Sequence, residues 1–219
     1  INHLEVQPLA PITAPNEMAE TLENVLTKLK NDSAYPALFR KAFGSSEINS
    51  QKMLKAIAQF MGSMVSSNSK YDKVQRGETT FTTAEQNGYT FFKAKCDACH
   101  KEPLFTDNSF RNNGLAINTF INDFGRLKIT NQRSDSLKFK VPTLRNVELT
   151  FPYMHDGRLY ALRDVLDHYS SSLITTQPTL DPLLVNRIAM SNIDKNNLIS
   201  FLRTLNDTTF TKNVRFSQP

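Results

Sequence analysis

The chain has 219 residues, 39% of them hydrophobic, with fifteen Phe and no Trp, enough for one large core or one domain plus part of another. Its net charge of +5 comes from 26 Lys and Arg dispersed against 21 Asp and Glu. That pattern excludes the dense basic stripe of a nucleic-acid binder and leaves a modest positive field suited to an acidic redox partner. No run approaches the roughly 18–20 apolar residues that cross a bilayer, and no charged segment with an apolar signal core opens the chain.

Pro8, Pro11 and Pro15 predict an irregular start over residues 1–17. Asn16 is placed to cap a helix from about Glu17 to Lys30, with Leu22, Val25, Leu26 and Leu29 on one face. A short helix over 36–43 should stop at Gly44. Met53, Leu54, Ile57, Phe60, Met61 and Met64 then recur at helical spacing, and the methionines read as core packing before they read as soft metal ligands. Residues 66–81 read as a polar connection. Thr82 with Glu85 forms a capping box that opens a helix over 84–95 carrying Tyr89, Phe91 and Phe92. From 106 to 151 the expectation is mostly loop, with short extended pieces near 126–129 and 139–142. Helices follow over 159–169 and 194–205, the second opened by Ser191 and Asp194. The fold class is mainly α with long loops.

The helix over 84–95 runs into CDACH, where Cys96 and Cys99 are the chain's two cysteines and His100 follows at once. A disulfide-exchange pair of this spacing belongs at a strand-to-helix junction, whereas this one closes a helix. A four-ligand zinc site would need more ligands than His3, His155 and His168 readily supply. The spacing points to covalent haem c, with thioethers at Cys96 and Cys99 and His100 as axial iron ligand.

Residues 138–169, KFKVPTLRNVELTFPYMHDGRLYALRDVLDHY, together with CDACH, LFTDNSFRNNGL and FGRLKIT, resemble the C-terminal half of the bacterial dihaem cytochrome c peroxidases. That superfamily also holds the dihaem oxidases of methylamine utilisation. The resemblance runs from about Gln7 to Leu205 and implies a class I cytochrome c-like haem domain over 76–219. Residues 1–75 would then be the end of a first, peroxidatic haem domain whose own attachment motif precedes Ile1. It implies an electron-accepting haem on this chain, a second haem on a missing N-terminal segment, hydrogen peroxide as substrate, and a small cytochrome c or cupredoxin as donor. A periplasmic location and a homodimer fit the same resemblance, and the absent signal is expected of a mature or trimmed chain.

The resemblance also places site residues. Gln7 and Glu17 match the glutamine and the acid beside the reactive haem, Glu17 as the proton-transfer group. The family's distal ligand falls fourteen residues after the histidine of PYMHDG, which is Tyr169 here, with Met154 as the competing ligand. His155 matches an element between the haems. Thr150 and Pro152 match positions whose backbone carbonyls bind an interdomain calcium. Arg126 and Arg145 are candidates to pair with haem propionates or to brace loops. Two other readings stand beside the peroxidase: a dihaem oxidase of a protein or organic substrate, for which Tyr169 is the strongest feature, and a monohaem electron-transfer module, which the single CxxCH suggests.

Overall fold

The computed structural model describes residues 3–217, and the chain divides into two compact units at Val65/Ser66. In the first unit a 3-10 turn, Leu4–Val6, leads into α1 (Leu9–Thr13). Pro11 is tolerated there because it lies in the first turn, where its missing N–H would have no helical partner. The helix expected from Glu17 begins later. Glu17 N–H and Ala19 N–H both donate to Ala14 O at 3.0 Å, and Glu20 N–H donates to Ile12 O at 2.8 Å. Ala19 takes a left-handed φ of 49° in that return. The segment thus folds back on the end of α1 and satisfies its carbonyls, and α2 (Leu22–Asn31) starts from a Thr21 cap. The helix α3 (Tyr35–Phe43) ends at left-handed Gly44, and α4 (Ser50–Ser63) is capped by Asn49. Ile12, Phe39, Ile48, Met53 and Leu54 form this unit's core, so Met53 is a packing residue.

The second unit opens with a helix, not a polar connection: α5 (Lys70–Gln75) carries a capping box between Ser69 and Asp72. Tyr71 from α5 is only 4% exposed. It joins Phe92, Phe105, Leu162, Leu166, Leu198, Phe201, Leu202 and Leu205 in the main core. The expected boundary at 75/76 would therefore cut α5 away from the core it packs into. Next come α6 (Thr83–Lys95) and, near the other end, α9 (Asn192–Arg203), each opened by its expected capping box. The two helices pack closely at Gly88. A Cβ built there would lie 2.0 Å from the Asn197 carbonyl oxygen and 2.9 Å from Phe201 Cβ.

Between them the chain is largely loop. A two-stranded antiparallel ribbon pairs β1 (Phe110–Arg111) with β2 (Phe139–Lys140). The extended piece expected at 126–129 is instead a helical turn, α7 (Leu127–Thr130), bounded by Gly125 at φ 59° and Asn131 at φ 56°. Such left-handed residues reverse the chain and close a turn where an extended strand would continue. The helix expected over 159–169 is shorter at its start. Leu159 pairs with Tyr153, so α8 (Leu162–Asp167) begins after Ala161 and then widens into a π turn, His168–Ser172. A last short helix, α10 (Thr208–Thr211), is capped by Asp207. Among the described residues, no helix is long and apolar enough to cross a membrane.

Candidate haem site

The end of α6 builds the CxxCH turn. Cys96 N–H donates to Phe92 O at 2.8 Å, and the Cys96 carbonyl accepts from His100 N–H at 2.9 Å and Cys99 N–H at 3.2 Å. One further turn of backbone thus brings both thiols and the imidazole together. The thiols are free. Burial pushes Cys96 up to about 12 and also raises Cys99. Neither has the stabilised thiolate that a disulfide-exchange pair needs.

His100 is oriented by two carbonyls brought from different segments. Its Nδ1–H donates to Phe105 O and to Pro142 O, both at 3.2 Å. Because carbonyls only accept, the proton belongs on Nδ1 and the Nε2 lone pair is available to a metal. Burial lowers the His100 pKa, which keeps the ring in its neutral, ligating form. Thr106 Oγ1 donates to Val141 O at 2.6 Å and ties together the two segments that carry these carbonyls.

Tyr169 comes to the same region from the π turn. Burial pushes its phenol up to about 12. Asn113 Nδ2 also donates to Met154 Sδ at 3.3 Å. His168 Nε2–H donates to Asn113 O at 2.9 Å, and its ring meets the Tyr169 ring edge-on at 5.2 Å. Met154 and His168 therefore both bond to Asn113, the first at its side chain and the second at its carbonyl. Among the described residues, no group of three or more His, Cys, Asp or Glu is placed to hold a metal ion, so the zinc alternative has no ligand set. Two thiols, an imidazole with a free Nε2 and a half-buried phenol or thioether fit covalent haem c.

The flanking candidates take up other work. Arg145 grips Asp72 with two bonds, 3.0 and 2.9 Å, and donates to Pro103 O at 3.1 and 2.8 Å, so its fork braces the loop after CxxCH. Arg126 pairs with Asp135 at 3.1 Å and lies 4.2 Å over the Phe110 ring. His155 stacks on Phe139 with ring centroids 3.8 Å apart. Thr150 and Pro152 are exposed, with Thr150 Oγ1 donating to Val147 O at 3.1 Å. In the first unit, Gln7 ends the Leu4–Val6 turn and Glu17 lies in the return after α1, both exposed.

A model of the di-haem cytochrome c peroxidase family matches residues 1–80. The methylamine utilization protein MauG of Methylorubrum extorquens is 38% identical over 208 residues, which cover 92% of this chain and 58% of that protein. The cytochrome c551 peroxidase of Nitrosomonas europaea is 33% identical, with the same two coverages, 92% and 58%. A crystal structure of a MauG-like protein associated with microbial copper homeostasis superposes with a TM-score of 0.87 at 31% identity, over 99% of this chain and 72% of that one. The chain belongs to the dihaem cytochrome c peroxidase family. It spans 58% of the length of the two curated family members compared with it. Membership implies haem c as the family's cofactor, and the donor set at Cys96, Cys99 and His100 has the chemistry to hold one.

Proposed function

We propose that this chain supplies the electron-accepting half of a periplasmic dihaem enzyme that reduces hydrogen peroxide to water. The observation that carries this reading is the His100 ring, held by two carbonyls through Nδ1 beside Cys96 and Cys99, with Nε2 left for iron. Residues 66–217 form the haem domain, class I cytochrome c-like in that α6, which runs into the attachment turn, packs on α9 at Gly88. Cys96 and Cys99 would tether the haem, and His100 and Tyr169 would be the side chains offered to its iron. When bound, this haem stores and passes single electrons. That matters because peroxide reduction needs two electrons and two protons, while a small cytochrome c or cupredoxin donates one electron at a time.

Residues 3–65 belong to the peroxidatic side of that enzyme. Glu17 transfers the proton that converts the leaving oxygen to water, and Gln7 orients peroxide by hydrogen bonding. The test uses the complete two-haem assembly. Glu17→Gln should slow peroxide turnover by about 10²–10⁴-fold while electron uptake is unchanged. Equal turnover would remove Glu17 from the mechanism.

A second reading is favoured by Tyr169. A phenol in place of a thioether lowers the haem potential and suits an oxidase of a protein or organic substrate. Such an enzyme would oxidise an organic substrate faster than the cytochrome or cupredoxin donor.

A further inference from the structure

Three side chains lace segment 103–106 to segment 141–145 around the His100 ring. Thr106 Oγ1 donates to Val141 O at 2.6 Å, Thr143 Oγ1 donates to Leu104 O at 2.5 Å, and Arg145 donates to Pro103 O at 3.1 and 2.8 Å. His100 Nδ1–H reaches one carbonyl from each segment, Phe105 O and Pro142 O, so the spacing of the two segments sets both bonds. Phe105 adopts φ 55°, a left-handed conformation that residues with a side chain rarely hold unless the surroundings impose it. Its ring is fully buried, edge-on to Tyr71 with centroids 4.9 Å apart and tilted on Phe92 at 5.5 Å. Arg145 is anchored in turn by Asp72 of α5, at 3.0 and 2.9 Å, and Asp72 by Ser69 at 2.7 Å. A line of contacts thus runs from α5 through Asp72, Arg145 and Pro103 O to the segment whose Phe105 carbonyl orients His100.

We propose that Thr143 and Arg145 are positioning residues that set how strongly His100 donates to the haem iron, with Asp72 acting through Arg145. This rests on the haem assignment above. A carbonyl that accepts from Nδ1–H raises the basicity of the ring and makes Nε2 a stronger donor. A stronger donor favours ferric over ferrous iron, so the laced segments hold the reduction potential down. Parting them lengthens the bonds to Phe105 O and Pro142 O, weakens the donor and raises the potential. Charge alone predicts the opposite sign for Arg145: removing a cation stabilises ferric iron and lowers the potential. Position and charge are therefore separable at this residue. At Thr143 no charge is involved.

The test is a redox titration of the haem-loaded full chain, comparing wild type with Thr143→Val, Thr143→Ser, Arg145→Lys and Arg145→Gln. Thr143→Val keeps the shape without the hydroxyl, and Arg145→Lys keeps the charge without the fork. Each should move the ferric/ferrous equilibrium toward ferrous by about tenfold, or about 59 mV for one electron. Thr143→Ser restores the hydroxyl and should return the wild-type potential. Arg145→Gln should also raise the potential, and a fall there would assign the effect to charge and overturn the positioning role. Thr143 is exposed, so its variants decide the matter even if those at Arg145 do not fold. An unchanged potential in Thr143→Val overturns the proposal. A wild-type chain with no attached haem overturns the parent reading as well, whereas attached haem with unchanged potentials overturns this inference alone.

Discussion

Arg145 and Asp72 form the most heavily committed ion pair near the attachment turn, with side chains 11% and 10% exposed. Asp72 also accepts from Ser69 Oγ at 2.7 Å and Ser69 N–H at 2.9 Å. Burial is the largest single influence on its carboxyl and opposes ionisation, but the Arg145 fork and Ser69 together hold it below the usual carboxylate range. A depressed folded-state pKa contributes stability that is complete above the unfolded value of 3.8 and is lost as pH falls below it. Arg145→Ala leaves a buried carboxylate unpaired and should cost about 3 kcal/mol in urea unfolding at pH 7. The difference from wild type should shrink once the carboxylate is protonated below that value. A loss of under about 0.5 kcal/mol, the scale of an ordinary surface change, would show that the pair is not structural.

At the scale of elements, the contact between α6 and α9 depends on a missing side chain. At Gly88 an added Cβ meets Asn197 backbone, its oxygen at 2.0 Å and its carbonyl carbon at 2.6 Å, and neither can rotate away. Gly88→Ala must separate the helices, so thermal unfolding should show a loss near the top of the overpacking range, about 3 kcal/mol. An unchanged melting temperature would mean that the helices can slide apart freely. The two helices were legible because their starts are local: Thr82 with Glu85, and Ser191 with Asp194, state the cap and its reciprocal partner within four residues. Ser69 and Asp72 follow the same grammar, yet the polar residues around them hide a helix whose one deeply buried aromatic is Tyr71. The turn at 127–130 was not legible, because left-handed Gly125 and Asn131 override residues that also suit a strand. The site divides in the same way. Cys96, Cys99 and His100 are adjacent in sequence, whereas Asn113, Phe105 O and Pro142 O enter only through the folded loops that carry them.

For the whole molecule, the decisive stretch is residues 66–75, because it determines where the haem-bearing unit begins. Tyr71 N–H donates to Thr204 O at 2.9 Å, and its hydroxyl donates to Glu102 at 2.6 Å, so both its backbone and its side chain are tied to the core. Asn68 N–H donates to Asp207 Oδ2 at 2.9 Å, and Ser66 Oγ accepts from Asn146 Nδ2 at 3.0 Å. Deleting the stretch would remove a core aromatic, a change worth about 3–5 kcal/mol by itself. It would also leave Arg145, Asn146 and Asp207 short of buried partners, against a total stability of about 5–15 kcal/mol for a domain. A chain starting at Ser66 should therefore melt cooperatively and, when haem-loaded, retain one haem equivalent through denaturing mass analysis. A chain starting at Arg76 should fail both tests. Equal melting and haem retention by the two chains would return the boundary to 75/76 and make α5 a dispensable addition to the haem domain.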